Sequence, residues 1–91
     1  MTNSDMITLL KSFLEIVKYM NVTRAAENFG ITQSAMSNRM NKLSKEIGSG
    51  SFFYTEHHQL HLTEDGMILK EKAERIVAAY DEILGDFALR K

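Results

Sequence analysis

Five uncharged polar side chains between positions 33 and 41 have the types and the spacing to form hydrogen bonds from one side of a helix. At about 100° per residue they share one face, and an apolar set lies roughly 130° away from them. The polar set is Gln33, Ser34, Ser37, Asn38 and Asn41, and the apolar set is Met36, Met40, Leu43 and Ile47. Amides and small hydroxyls can pair with the edges of DNA bases or with phosphates. We interpret this polar face as a DNA-contacting surface, with an ordinary solvated helix face as the alternative.

Basic side chains near the polar face could add contacts to a DNA backbone. Residues 32–47 carry Arg39, Lys42 and Lys45 against Glu46, a net charge of +2, although the whole chain has a net charge of −1. Positive charge confined to one segment suits a protein that meets a polyanion with one side only. Lys42 and Lys45 are candidate phosphate contacts, and simple solvation explains them equally well. Arg39 lies outside the polar arc, so we expect it to flank the core.

The elements that position the polar face follow a helix-turn-helix pattern. A short helix is expected over residues 24–29, with Thr23 as its cap and Gly30 as the left-handed residue that ends it. Thr32 is the expected N-cap of the next helix, which carries the polar face. The start of a helix can hold a phosphate, so Thr23, Arg24 and Thr32 join the candidate DNA contacts.

A first helix is expected over residues 4–20, with Ser4 as its N-cap and Asp5 favoured near its positive end. Its apolar side chains recur at helical spacing, as a core-facing stripe requires. The stripe consists of Met6, Leu9, Leu10, Phe13, Val17 and Met20.

A short β-hairpin is predicted after the third helix, which is expected to stop at Gly48. Residues 52–54 and 60–62 are rich in aromatic and aliphatic side chains and are predicted as two strands. Residues 56–59 would form the turn between them. A hairpin in this position is the wing of a winged helix-turn-helix.

The three histidines of the chain lie in or beside this wing. We expect His57 and His58 at the wing tip, where they could approach phosphates and gain charge below pH ~6.5. A metal site is not expected, because His57, His58 and His61 have no further ligand at a usual spacing.

The last helix begins at Thr63 and carries an apolar seam at alternating steps of four and three residues, the pattern of a coiled coil. The seam consists of Leu69, Ala73, Ile76, Tyr80, Ile83 and Phe87, and Val77 and Leu84 widen it. A helix of about 25 residues would be roughly 37 Å long. Such a length exceeds what a 62-residue body can easily cover, which predicts a homodimer through this helix.

The composition excludes several classes of protein. The chain has 91 residues and no cysteine, so it has neither disulfides nor thiolate metal ligands. It has no long apolar run and its first residues do not resemble a signal peptide, so we expect no membrane contact and a cytoplasmic location. No phosphate-binding glycine loop or nucleophile motif is present, and we expect neither an enzyme nor a cofactor.

Taken together, these motifs resemble the N-terminal DNA-binding region of LysR-type transcriptional regulators, over nearly the whole chain. The resemblance rests on LLKSFLEIVKYMNVTRAAENFGITQSAMSNRMNKL, on Phe52-Phe53 and on LTEDG at residues 62–66. The family pattern of two alanines, a Ser/Thr-Gln pair and a later serine is met by Ala25, Ala26, Thr32, Gln33 and Ser37. The resemblance implies a winged helix-turn-helix whose linker helices pair antiparallel in a dimer.

The chain departs from the family pattern at four places. Asn38 stands where arginine is frequent, Ser44 replaces a glutamate, and Thr55 replaces the wing arginine. One extra residue lies between Gly48 and Phe52. The substitutions remove basic contacts from the wing and the third helix. In the family an effector domain normally follows the linker helix, and it is absent from this sequence. We therefore expect either a truncated protein or a naturally short relative. A full-length protein could form higher oligomers.

We therefore predict a mainly α fold, with a three-helix winged helix-turn-helix domain at residues 1–62 and a long dimerisation helix at residues 63–91. The predicted function is sequence-specific transcriptional regulation through double-stranded DNA. Two alternatives are a protein-interaction module that heterodimerises with a full-length relative without binding DNA, and a regulator of the molybdate-responsive type. The Thr-Gln pair favours the LysR type over the latter.

Overall fold

The computed structural model describes residues 5–90, which form four helices and one two-stranded antiparallel hairpin. In chain order the elements are α1 (Met6–Tyr19), α2 (Val22–Phe29), α3 (Gln33–Ile47), β1 (Phe53–Glu56), β2 (Gln59–Leu62) and α4 (Glu64–Ala88). This order confirms the predicted winged helix-turn-helix followed by a long helix.

Helix α1 begins at Met6, two residues after the predicted start, because Asp5 is its N-cap. The Asp5 carboxylate accepts a hydrogen bond from the Thr8 backbone N–H at 2.8 Å. This hydrogen bond lowers the pKa of Asp5 below its usual value of 3.8. The cap therefore stabilises the helix above about that pH, and its contribution is lost as the pH falls through the lowered pKa. Ser4, the predicted cap, lies outside the described residues.

The core consists of two adjoining clusters that share α1 as their centre. The first cluster contains Leu9, Leu10, Phe13, Leu43, Phe52 and Ala73, and the second contains Ile16, Ala25, Ala26 and Met36. The Phe13 ring lies 5.6 Å from the Phe52 ring and 5.4 Å from the Phe53 ring, so it joins α1 to the base of the wing. Pairs at this distance add stabilisation beyond the area that they bury.

The predicted core stripes were wrong at three positions. Ile16 is fully buried although it was not assigned to the core, whereas Met6 and Ile47 are 40% and 44% exposed. Met6 and Ile47 occupy the first residue of α1 and the last residue of α3. Helix ends have fewer neighbouring elements, so an apolar residue there can keep the periodicity without being covered.

The cap of α2 also differs from the prediction. Asn21 is the N-cap, and its side chain accepts a hydrogen bond from the Arg24 backbone N–H at 2.9 Å. Thr23 therefore lies inside the first turn instead of preceding it. Two other predictions for this region are confirmed, since Gly30 has a φ of 76° and Thr32 caps α3.

The wing is a tighter hairpin than predicted. Glu56 pairs with Gln59, which leaves a two-residue turn of His57 and His58. Both histidines have positive φ values, 53° and 61°, as in a type I′ turn. Phe52, which was predicted in the first strand, precedes β1 and is buried at 3% exposure.

The turn chemistry gives a stability prediction. Histidine tolerates the left-handed region at a cost, whereas asparagine followed by glycine is favoured there. We expect the double substitution His57→Asn, His58→Gly to raise the free energy of unfolding by about 1 kcal/mol. Thermal unfolding by circular dichroism should show a higher Tm, whereas the control Glu56→Gly, one residue earlier in β1, should lower it. A double variant no more stable than the parent would contradict the left-handed turn.

The start of α4 is hydrogen-bonded to the loop that precedes β1. Thr63 donates from its backbone N–H to the Phe52 carbonyl at 3.0 Å and from its hydroxyl to the Ser51 carbonyl at 2.8 Å. The same hydroxyl oxygen accepts from the Gly66 backbone N–H at 3.0 Å. Gly66 is buried, and a Cβ atom at this position would overlap the Phe52 carbonyl oxygen. The close approach of α4 to the wing base therefore requires glycine.

Gly66→Ala should consequently destabilise the fold even though alanine is the better helix former. We expect the free energy of unfolding to fall by about 1–3 kcal/mol, because backbone has to move. Gly85→Ala is the matched control, since a Cβ there meets nothing within 4 Å and should add about 0.5–1 kcal/mol. Denaturant titrations at one protein concentration compare the two. A Gly66→Ala chain as stable as the parent would show that the contact can relax.

Candidate nucleic-acid interface

The polar face of α3 is exposed on the surface of the fold. Its five predicted residues, Gln33, Ser34, Ser37, Asn38 and Asn41, are all exposed. The opposite side of the same helix is anchored by Met36 and Leu43, which are completely buried. The structure thus brings the predicted hydrogen-bonding side chains together on one outward surface.

One contact between the two helices of the helix-turn-helix orients Gln33. The Thr23 hydroxyl donates a hydrogen bond to the Gln33 side-chain oxygen at 3.1 Å. The Gln33 amide nitrogen has no acceptor among residues 5–90, so it remains free to donate. Thr23, predicted as a cap, therefore restricts the Gln33 side chain at the start of α3.

Two arginines are held by contacts within the protein. The Arg39 guanidinium donates to the Ser12 hydroxyl at 3.0 Å and lies 5.3 Å from the centre of the Phe29 ring. This confirms that Arg39 flanks the core instead of joining the polar face. Arg24 is exposed at the start of α2, with its guanidinium 5.4 Å from the Tyr19 ring.

The two candidate lysines of α3 occupy different positions. Lys45 is exposed and lines an open groove between α3 and residues 49–53, together with Asn41. Lys42 is half-buried and does not line that groove. Lys45 thus continues the polar face towards the end of the helix, whereas Lys42 lies on its flank.

The wing tip presents two histidines to solvent. His57 and His58 are exposed at the turn, and the His57 Nε2 atom lies 4.0 Å from the Glu56 carboxylate. His61 points elsewhere, because its ring stacks on Tyr54 at 5.2 Å. Within residues 5–90, no three His, Asp or Glu side chains come together in a cluster that could hold a metal ion.

The seam of α4 divides into a covered part and an open part. Ala73 is completely buried in the core of its own chain, and Leu69 and Val77 pack against that core. The prediction that Ala73 meets a partner helix is corrected by this packing, since no surface of it remains. The open part consists of Ile76, Tyr80, Ile83, Leu84 and Phe87, which are 37–57% exposed.

Contacts between α1 and α4 extend to Asp81, the eighteenth of the 25 residues of α4. Lys11 forms an ion pair with Asp81 at 3.2 Å, and its ammonium lies 5.5 Å from the Tyr80 ring. Every described residue after Asp81 is exposed. No helix within the described residues is both long and apolar enough to cross a membrane.

Comparison with known proteins gives one consistent family. The sequence model described as "Bacterial regulatory helix-turn-helix protein, lysR family" matches residues 7–67. The uncharacterized HTH-type transcriptional regulator YcgK of Bacillus subtilis is 32% identical over 84 residues, which is 92% of this chain and 26% of that protein. The HTH-type transcriptional regulator DgdR of Burkholderia cepacia is 36% identical over 80 residues, 88% of this chain and 27% of that protein. The chain thus spans about a quarter of the length of these curated relatives.

Solved structures agree with the sequence comparison. A LysR-family transcriptional regulator from Eggerthella lenta is 33% identical, with a TM-score of 0.67 over 72% of this chain and 93% of that one. The DNA-binding domain of BenM, in complex with catB site 1 DNA, has a TM-score of 0.83 over 92% of this chain and 93% of that one. The BenM domain is 19% identical, so its likeness is one of fold.

Proposed function

This chain belongs to the LysR family of bacterial regulatory helix-turn-helix proteins, and we propose that it is a sequence-specific DNA-binding transcriptional regulator or the DNA-binding part of one. The observation that carries the proposal is the exposed polar face of α3, with Gln33 oriented by Thr23 at 3.1 Å.

In the proposed complex, α3 lies in the major groove with its N-terminal end towards the bases. The major groove accepts one helix, and each base pair presents a distinct set of donors and acceptors there. The free amide nitrogen of Gln33 can donate to a base acceptor, and glutamine pairs with adenine through both amide atoms. If both the oxygen and the nitrogen of the Gln33 amide pair with a base, the hydrogen bond from Thr23 to the Gln33 oxygen has to break. Ser34, Ser37 and Asn38 are close enough along the helix to contact bases or phosphates beside it.

The likeness of the fold to the BenM domain supports this placement, since that domain is bound to DNA. The wing would then approach the backbone next to α3, with His57 and His58 nearest to the DNA. The start of α2, with Thr23 and Arg24, would face a phosphate on the other side of the groove.

We also propose that the chain acts as a homodimer through α4. Ile76, Ile83 and Phe87 form an exposed apolar line that extends past the last contact with α1. Monomeric proteins rarely leave such a surface uncovered. An antiparallel pair of α4 helices would place two copies of α3 on opposite ends of the dimer, to meet half-sites about one helical turn of DNA apart. The curated relatives are about four times as long as this chain, so we propose that the whole protein also has an effector domain. We propose a cytoplasmic location for it.

A titration of labelled duplexes with the purified chain tests the function. Duplexes should be drawn from genomic fragments that the chain selects and from random sequence, at several salt concentrations. We expect tighter binding to selected duplexes and a fall of affinity with salt, because phosphate contacts release counterions. Equal affinity for selected and random duplexes would contradict sequence-specific regulation.

A further inference from the structure

An open groove lies at the C-terminal end of the polar face of α3. It has a volume of about 380 Å³ and separates the last turns of α3 from the loop that leads to the wing. The groove is lined by Met40, Asn41, Ser44, Lys45, Ser49, Gly50, Ser51, Phe52 and Phe53. We call it the loop groove. No acidic side chain lines it.

The loop groove continues the direction of the polar face. Asn41 and Lys45 follow Gln33 by eight and twelve residues, and at about 100° per residue both point within roughly 120° of it. Twelve residues of helix span about 18 Å, whereas the major groove is about 12 Å wide. With the N-terminal end of α3 towards the bases, as proposed above, the helix would therefore carry Lys45 past the edge of the groove. A sugar–phosphate strand is the part of the duplex at that edge.

The loop groove offers unoccupied donors and a positive charge. Lys45 has no ion-pair partner and Asn41 no hydrogen-bond partner among residues 5–90. The backbone N–H groups of Gly50 and Ser51 likewise have no acceptor within the described part of the chain. Backbone N–H groups without an acceptor in the protein and a lysine ammonium can each donate to an anion.

The serine hydroxyl groups in and next to the loop form hydrogen bonds within the protein. Ser49 and Ser51 donate to the carbonyl groups of Gly50 and Phe53, at 3.0 and 2.7 Å. The Ser44 hydroxyl lies 3.3 Å from the Gly50 carbonyl and 3.1 Å from the carbonyl of Met40 in its own helix. These bonds hold the shape of the loop between α3 and β1. The donors left for a ligand are consequently the Lys45 ammonium, the Asn41 amide and the two backbone N–H groups.

We propose that the loop groove binds a phosphate of the DNA strand that borders the major groove. This inference rests on the proposed function and assigns residues 49–51, which the sequence did not suggest, to the DNA contact. The loop contains the extra residue between Gly48 and Phe52. Lys45, at the end of α3, supplies the cation of the groove, beside a wing in which Thr55 replaces a basic residue.

Two lysines of α3 provide a matched test by charge removal. Lys45→Ala and Lys42→Ala change the net charge equally, but only Lys45 lines the groove. On a selected duplex, Lys45→Ala should lower the affinity roughly fivefold and reduce the slope of log affinity against log salt by about 1. Lys42→Ala should reduce that slope by less than Lys45→Ala does, because Lys42 is half-buried and does not line the groove. Equal slopes for the two variants would overturn the site.

Gly50 provides a second test that does not depend on a lysine. A Cβ at Gly50 meets nothing within 4 Å, so the nearly isosteric pair Gly50→Asp and Gly50→Asn should both fold. Gly50→Asp should weaken DNA binding at least roughly tenfold relative to Gly50→Asn, because its carboxylate would face a phosphate. Equal affinities for the pair would overturn the site while leaving the proposed function intact. A parent chain that binds no duplex would overturn both.

Discussion

Ile76→Asp is expected to convert the protein from a dimer into a monomer. Ile76 is 48% exposed in the single chain, so the substitution leaves the core intact. In an antiparallel pair of α4 helices the same side chain is covered, and a carboxylate there would lose its hydration without a partner. We expect the dimer dissociation constant to rise at least about 100-fold. Sedimentation equilibrium of the parent and the variant measures this directly.

Ala78→Asp is the control for this experiment. Ala78 is exposed and lies about 160° around α4 from Ile76. The substitution Ala78→Asp therefore adds the same charge on the side of α4 opposite the seam. This variant should remain a dimer.

Loss of the dimer in the Ile76→Asp variant should also weaken binding to a duplex with two half-sites by a factor of about 100 or more, since binding to the second half-site is then no longer intramolecular. A parent that sediments as a monomer, or an Ile76→Asp chain that still dimerises, would refute the role of α4.

Gln33→Ala is expected to remove most of the sequence preference while retaining general affinity for DNA. A bidentate amide–base pair contributes about 1–3 kcal/mol of discrimination against the wrong base. Phosphate contacts elsewhere are unchanged, so the salt dependence should be that of the parent. Competition binding between the selected duplex and duplexes with single base changes measures the discrimination at each position.

Two further variants make the test of Gln33 specific. Gln59→Ala shortens the same type of side chain in the wing and should leave the discrimination unchanged. Thr23→Val removes the hydroxyl that holds the Gln33 oxygen at 3.1 Å with little change of shape, and should change the base preference by a smaller amount than Gln33→Ala. A Gln33→Ala chain with the same base preference as the parent would contradict the placement of α3.

Much of the fold follows from the sequence because its signals are local. Gly30 and Thr32 occupy positions that only a few residue types fill well, and both behave as predicted. Asn21 and Thr23 are equally suitable caps by type, and the choice depends on where α1 ends, at Met20 with a φ of 47°. The two-residue turn of His57 and His58 lacks the usual Asn-Gly pair, so its tightness was not visible in the sequence.

The remaining features depend on contacts between distant segments. The pattern of the α4 seam is the same whether a residue meets its own chain or a partner, so Ala73 could not be distinguished from Ile76. The bond between Thr23 and Gln33 exists only once α2 and α3 are placed. The need for glycine at Gly66 comes from the Phe52 carbonyl, fourteen residues earlier in the chain.

Selection of genomic DNA fragments by the purified chain tests the central claim most directly. We expect enrichment of a short, partly palindromic sequence with half-sites about 10 base pairs apart. We also expect this enrichment to fall sharply when the Gln33→Ala variant replaces the parent chain in the same selection. Recovered fragments with the sequence composition of the input would contradict the claim that the α3 polar face reads DNA.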